Sequence, residues 1–152
     1  VPLPHHCEFL SDAWVTEARD FLERTLSSQR ARFADQPFAA SARFTRAPPH
    51  MRFPGDIAQW SARFDGQRLA VSRDFDAAAD RVVEGDYQAA LTAAQAVGAL
   101  APGAMDAAMH EIRHIYGRDA IRESGAASYE AAREARVEGH AFLRPSRSRR
   151  LR

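Results

Sequence analysis

The chain has 152 residues, of which 45% are hydrophobic and 27% charged, and a formal net charge of +1. This length suits one domain, burying roughly 70% of the unfolded chain's surface with no need for a disulfide or a structural metal. The near-neutral charge excludes a chain-wide electrostatic footprint for nucleic acid, and no window approaches the roughly 18 consecutive apolar residues of a membrane span.

All 21 basic residues are arginine, lysine and asparagine are absent, and alanine is abundant, a usage expected of a GC-rich bacterial coding sequence. Cys7 is the single cysteine and cannot form an internal disulfide; near a terminus it reads as a spectator thiol. The opening Val1-Pro2-Leu3-Pro4-His5-His6 lacks the basic and apolar regions of a secretory signal, so a cytoplasmic location is expected.

Ser11 is a good N-cap, and Asp12 suits the first turn of a helix. Leu10, Trp14, Ala18, Phe21, Leu22 and Leu26 follow at spacings of three and four, predicting an amphipathic helix over 11–29. Period-two segments come next. Ala42, Phe44 and Arg46 alternate with Arg43 and Thr45 in a short strand that Pro48-Pro49 ends. Ala58, Trp60, Ala62 and Phe64 share one face of a second strand, Asp65-Gly66 signals a hairpin, and Leu69 and Val71 lie on the return strand. Residues 79–85 predict another strand. Asp86 then caps a helix from Tyr87, with Leu91, Ala94 and Val97 as its buried positions and Gly98 as its break. A further helix over 104–116 ends at Gly117. A short strand over 119–123 and a last helix over 127–142 follow. Five arginines in residues 144–152 form an expected disordered tail, leaving one domain over 1–143. The order predicts an α+β fold: an antiparallel sheet covered on one face by helices.

His110-Glu111-Ile112-Arg113-His114 matches H-E-x-x-H, in which two histidines on a helix hold Zn²⁺ and the glutamate activates water. Glu130, Glu134, Glu138 and His140 are third-ligand candidates. Helical geometry opposes this reading. Met105, Met109, Ile112 and Tyr116 cluster on one arc, and His110 and His114 lie about 130° and about 170° from its middle. The motif therefore reads better as a solvated polar face. No phosphate-binding glycine loop or nucleophile elbow is present. Asp74, Asp76 and Asp80 lack the glycine and terminal glutamate of a calcium loop and read as a polar turn. His50 and His140 are isolated, and the arginine tail reads as solvated chain rather than as a grip on anionic lipid or nucleic acid.

Trp60-Ser61-Ala62-Arg63-Phe64-Asp65-Gly66-Gln67-Arg68-Leu69-Ala70-Val71, followed by Ala79-Asp80-Arg81-Val82-Val83-Glu84-Gly85-Asp86-Tyr87-Gln88-Ala89-Ala90-Leu91, resembles the sterol carrier protein-2 family. That family shows a tryptophan-bearing strand, an aspartate-glycine hairpin, a return strand, and an alanine-aspartate pair opening a strand that ends in glycine and feeds a helix. Phe9-Leu10-Ser11 and the first helix resemble its bacterial members, and residues 118–125 sit where their last strand would lie. Residues 30–56 and the arginine tail depart from the pattern. The resemblance implies a tunnel between sheet and helices for a lipid, sterol or acyl thioester. The expected function is therefore non-catalytic binding of a hydrophobic small molecule, with no catalytic residue and no cofactor. Apolar sites are lined mainly by hydrophobic and aromatic side chains. The candidates are Trp14, Phe21, Leu22, Phe44, Trp60, Phe64, Leu91, Met105, Met109 and Phe142, each of which taken singly reads more readily as plain core. The competing expectations are a zinc hydrolase using His110, His114 and Glu111, and an enzyme of specialised metabolism built on the same scaffold.

Overall fold

The computed structural model describes residues 7–99 and 101–127, with Arg32 described by its backbone alone. The expected helix over 127–142 and the tail over 144–152 lie outside the described residues. The elements run α1 (Asp12–Ser28), the single turn α2 (Arg30–Phe33), β1 (Phe38–Thr45), β2 (Ala58–Phe64), β3 (Leu69–Ser72), β4 (Arg81–Asp86), α3 (Tyr87–Ala99), α4 (Ala104–Tyr116) and β5 (Ile121–Ser124), with two 3₁₀ turns between β1 and β2. The fold is α+β, and the strands form one five-stranded sheet in the order β3-β2-β1-β4-β5.

The sheet is mixed, which corrects the expectation of a purely antiparallel one. β2 and β3 pair antiparallel, with Phe64 opposite Leu69 and Ser61 opposite Ser72. Between β1 and β4 the partners instead advance together. Arg43 meets Glu84, the Thr45 hydroxyl donates to the Gly85 carbonyl, and Arg46 meets Asp86. Both chains therefore run the same way. β5 runs against β4, since Asp86 N–H donates to the Ala120 carbonyl while Arg81 pairs with Glu123.

Two compact units divide the chain. The first comprises 7–18, Arg43–Ala58 and Glu84–Arg122. Its α1 start is capped as expected, with the Trp14 N–H donating to Ser11 Oγ at 3.2 Å. Asp86 caps α3: its Oδ1 accepts from the N–H groups of Gln88 and Ala89 at 3.0 and 3.1 Å. Tyr87, 1% exposed, anchors α3, and its hydroxyl donates to the Phe9 carbonyl at 2.6 Å. α3 packs against α4, and the buried residues of the two are Tyr87, Ala89 and Ala90 on α3 and Ala108 and Ile112 on α4. Val97, expected inside, is 39% exposed, and α3 continues through Gly98 to Ala99. The buried stripe of α3 starts at Tyr87, so its last turn falls outside the core.

The second unit comprises Arg19–Ala42, Gln59–Val83 and 123–127. β1 starts at Phe38, four residues before the alternation at Ala42, because Ala39 and Ser41 are buried on one face and Ala42 on the other. Arg46 follows the strand in left-handed conformation (φ 57) and does not continue the apolar face. The segment from β3 to β4, residues 73–80, is fastened to the sheet. Asp76 N–H donates to Ser41 Oγ at 2.9 Å, the Ser41 hydroxyl donates to the Trp60 carbonyl at 3.0 Å, and the Asp76 carboxylate pairs with Arg63. Phe75 packs against Ala39, Ala79 and Val82. Asp80 accepts from the Ala39 N–H at 2.7 Å. Asp74 and Ser72 hydrogen-bond each other, so the three aspartates each have a structural partner within a polar turn.

A Cβ at Gly85 would lie 2.0 Å from the Ala120 carbonyl oxygen. Backbone cannot yield as a side chain does, so Gly85→Ala should destabilise by about 3 kcal/mol or more, measured by urea unfolding. The Arg63 hydrogen bond holds the Asp76 carboxyl below its usual value of 3.8, with help from the Ala78 N–H and against partial desolvation. A depressed folded value means the stabilisation is present above that usual value and is lost as pH falls through the folded one. Asp76→Asn should therefore lower the melting temperature at pH 7, and the gap to the parent chain should close on acidification below pH 3.8. A gap that persists at the acid end would contradict this account.

Candidate functional site

α1 ends at Ser28, and the single turn α2 leads to Asp35 in left-handed conformation (φ 55). There the Asp35 N–H donates to the Gly66 carbonyl at 3.2 Å, fastening this segment to the β2–β3 hairpin. Gly66 packs closely on this segment, since a Cβ would sit 3.1 Å from Asp35 Cα, and its φ of 106 disfavours a side chain in any case. Asp65 Oδ1 accepts from the N–H groups of Gln67 and Arg68 at 2.8 and 2.7 Å, fixing the loop and lowering the Asp65 pKa, chiefly through the Arg68 N–H. Between these two anchored segments lies a cleft of about 420 Å³. Leu26, Phe33, Ala34 and Phe64 supply its apolar lining, and Arg30, Asp35 and Arg68 its charged groups. The lining is mixed, with two phenyl rings set among polar and charged groups, and the volume falls within the range of small-molecule pockets.

The expected lining residues are distributed over both units. In the first unit Trp14 and Phe44 are each 5% exposed and are joined by Phe9, whose ring lies 5.2 Å from Trp14, edge-on, and 6.1 Å from Phe44. Tyr87 completes this cluster 5.6 Å from Phe9. Leu91 and Met109 are half-buried and Met105 is 38% exposed. In the second unit Phe21, Leu22 and Trp60 are half-buried, and Phe64 lines the cleft. Phe142 lies outside the described residues. The set thus yields one cleft residue, Phe64, while Phe33, Arg30 and Arg68 were not anticipated. Phe33 falls seven residues after Leu26, and that spacing was a usable signal that the break at Ser28 obscured.

His110, Glu111 and His114 are exposed. The buried residues of α4 are Ala108 and Ile112, with Met105 and Tyr116 at 38% and 36% exposure, so the apolar arc is rotated from its expected centre. From the Ala108–Ile112 line the two histidines lie about 180° and about 140° away. Among the described residues no group of three metal-capable side chains occurs, and Glu130, Glu134, Glu138 and His140 lie outside them. His50 pairs with Glu8 at 2.6 Å. The Cys7 thiol donates to Glu17 at 3.5 Å, and desolvation first, then Glu17, pushes its pKa above the usual 9.0. Among the described residues no helix is long and apolar enough to cross a membrane.

Comparison of the chain with protein-family models, with curated proteins and with solved structures gives no match.

Burial, and secondarily Glu8, raises the Tyr87 hydroxyl from 10.0 to about 12. A raised folded value contributes stability that is present below the unfolded value and lost as pH climbs through the folded one. Tyr87→Phe should cost about 1–3 kcal/mol at pH 7, through the unpaired Phe9 carbonyl. It should also flatten the loss of melting temperature that the parent chain shows between pH 10 and about 12. An identical alkaline profile in the variant would exclude Tyr87 as its source. His110→Ala with His114→Ala, both exposed, should change stability by less than about 0.5 kcal/mol.

Proposed function

We propose that the protein binds a hydrophobic small molecule, with a lipid, sterol or acyl-type body, and performs no chemistry on it. The observation that carries this reading is the cleft of about 420 Å³ with Leu26, Phe33, Ala34 and Phe64 in its lining. Binding would draw on apolar burial, worth roughly 25 cal/mol per Å² removed from water, with shape setting selectivity. The sequence resemblance of residues 60–71 and 79–91 to the sterol carrier protein-2 family supports the same reading.

The shifted groups offer catalysis little support. Among the described residues Tyr87 and Cys7 are moved away from neutrality, and Asp65 and Asp76 are depressed by the hydrogen bonds that fix their own loops. The zinc-hydrolase alternative would need a wall facing His110 and His114, and the described residues supply none.

Native mass spectrometry of the purified chain, before and after mild denaturation, tests the proposal. An organic, lipid-like adduct released on unfolding is the expected result. Phe64→Ser with Phe33→Ser should reduce adduct occupancy at least tenfold while the spectrum of folded charge states is kept. A stoichiometric Zn²⁺ mass, lost in the double-histidine variant, would replace this reading with the hydrolase. Retained adduct in the cleft variant would move the site elsewhere.

A further inference from the structure

A second cleft, of about 620 Å³, lies within the first unit, where β1 and β4 end and the turn from α4 to β5 passes. It contains four arginines, Arg43, Arg46, Arg118 and Arg122, and three carboxylates, Glu84, Asp86 and Asp119. Two of the carboxylates are engaged. Glu84 binds Arg43 at 2.5 Å. Asp86, with a side chain only 9% exposed, takes Arg46 Nε and Nη2 on Oδ2 at 2.6 and 2.5 Å and caps α3 with Oδ1. Arg118 and Arg122 are different: among the described residues neither guanidinium has a hydrogen bond or ion pair.

Their backbone is fixed. Asp86 N–H donates to the Ala120 carbonyl at 2.9 Å, the Gly117 N–H donates to the Arg113 carbonyl at 3.1 Å, and Gly85 lets Ala120 approach β4 to a distance no other residue would permit. Two guanidiniums with no partner among the described residues are thus carried on a short, held turn beside two cations already neutralised. Of the three carboxylates in the cleft, Glu84 and Asp86 are held by Arg43 and Arg46, which leaves Asp119 as the one beside Arg118 and Arg122 among the described residues and places the excess positive charge at that end of the cleft.

We propose that Arg118 and Arg122 form a binding site for a small phosphate-type oxyanion, either free or as part of a larger molecule. Each guanidinium presents a planar fork of donors that matches two oxygens. A planar carboxylate is satisfied by one fork, whereas a tetrahedral phosphate has acceptors for both. The site is independent of the cleft at Phe33 and Phe64, which shares no residue with it.

The test is an NMR titration of the full chain, following arginine Nε–Hε resonances in low salt, with inorganic phosphate, inorganic pyrophosphate and acetate as separate probes. Saturable shifts confined to Arg118 and Arg122 are expected for both phosphates, with acetate at least tenfold weaker. Affinity should fall as NaCl is raised, because exposed charges are screened. Arg118→Gln with Arg122→Gln should weaken phosphate binding at least tenfold, and each single variant by a smaller factor. Arg30→Gln with Arg68→Gln should leave it unchanged. Tighter binding of pyrophosphate than of phosphate indicates a ligand bearing a diphosphate, and equal binding a monophosphate. Equal affinity for acetate, uniform non-saturating shifts across all arginines, or undiminished binding in the double variant would overturn the site.

Discussion

The passage from β3 to β4 sets the architecture. Returning in parallel to a strand of the same sheet usually takes a dozen or more residues, and here residues 73–80 suffice. The register explains why. Ser72, the last residue of β3, stands opposite Ser61, and neighbouring Trp60 receives the Ser41 hydroxyl. β4 begins just after Asp80, which is bonded to Ala39. The chain leaves β3 and enters β4 at nearly the same height, so it crosses β2 and β1 without travelling back along them. Three strand spacings are about 14 Å, well within the reach of eight residues. Ser41 and Asp76 hold the crossing segment, and Arg63 completes the fastening from β2. Because β4 is delivered beside β1, Gly85 and Asp86 follow at the end of the parallel pair, and α3 starts from there.

Both clefts arise where a turn is held by hydrogen bonds instead of by packing. In the second unit, Asp65 fixes the hairpin loop and Gly66 admits Asp35, which leaves Phe33 and Phe64 as the aromatic parts of a mixed recess. In the first, Asp86 both starts a helix and secures Ala120, which leaves Arg118 and Arg122 at a polar recess. The two recesses differ in chemistry because their linings differ: two phenyl rings among polar groups in one, strand ends bearing paired charges in the other. Asp86 carries the larger share of this organisation, since its two oxygens and its amide each serve a different element.

Local chemistry was legible in the sequence. Ser11, Asp86, Asp65-Gly66 and Gly117 announced the elements they begin or end, because a cap or a turn needs only its immediate neighbours. The start of β1 was not legible. Phe38-Ala39-Ala40-Ser41 shows no hydrophobic alternation, since its buried face is made by two small residues, Ala39 and Ser41. The parallel pairing was also hidden, for it depends on Ala39 meeting Asp80 from 41 positions away. For the site, aromatic character identified residues that pack but not which of them face a recess. Trp14 and Phe44 are gathered by Phe9, a residue ahead of the first helix that no periodicity selects. The 3.6-residue repeat gave α4 an apolar side but not its centre, because Ala108, small and easily overlooked, is buried while Met105 stands out.

β3 has a further consequence for the behaviour of many copies together. Among the described residues it is the terminal strand on its side of the sheet and contributes only four residues of ladder, Leu69–Ser72, with the exposed Arg68 just before them. A second molecule approaching to extend the sheet would find too few backbone groups to pair with, and would bring its own Arg68 against this one. Short, cationic edges of this kind discourage strand-by-strand growth into fibrils. The brevity that lets the chain cross to β4 in eight residues thus also guards concentrated solutions of the protein against amyloid-like assembly from this edge.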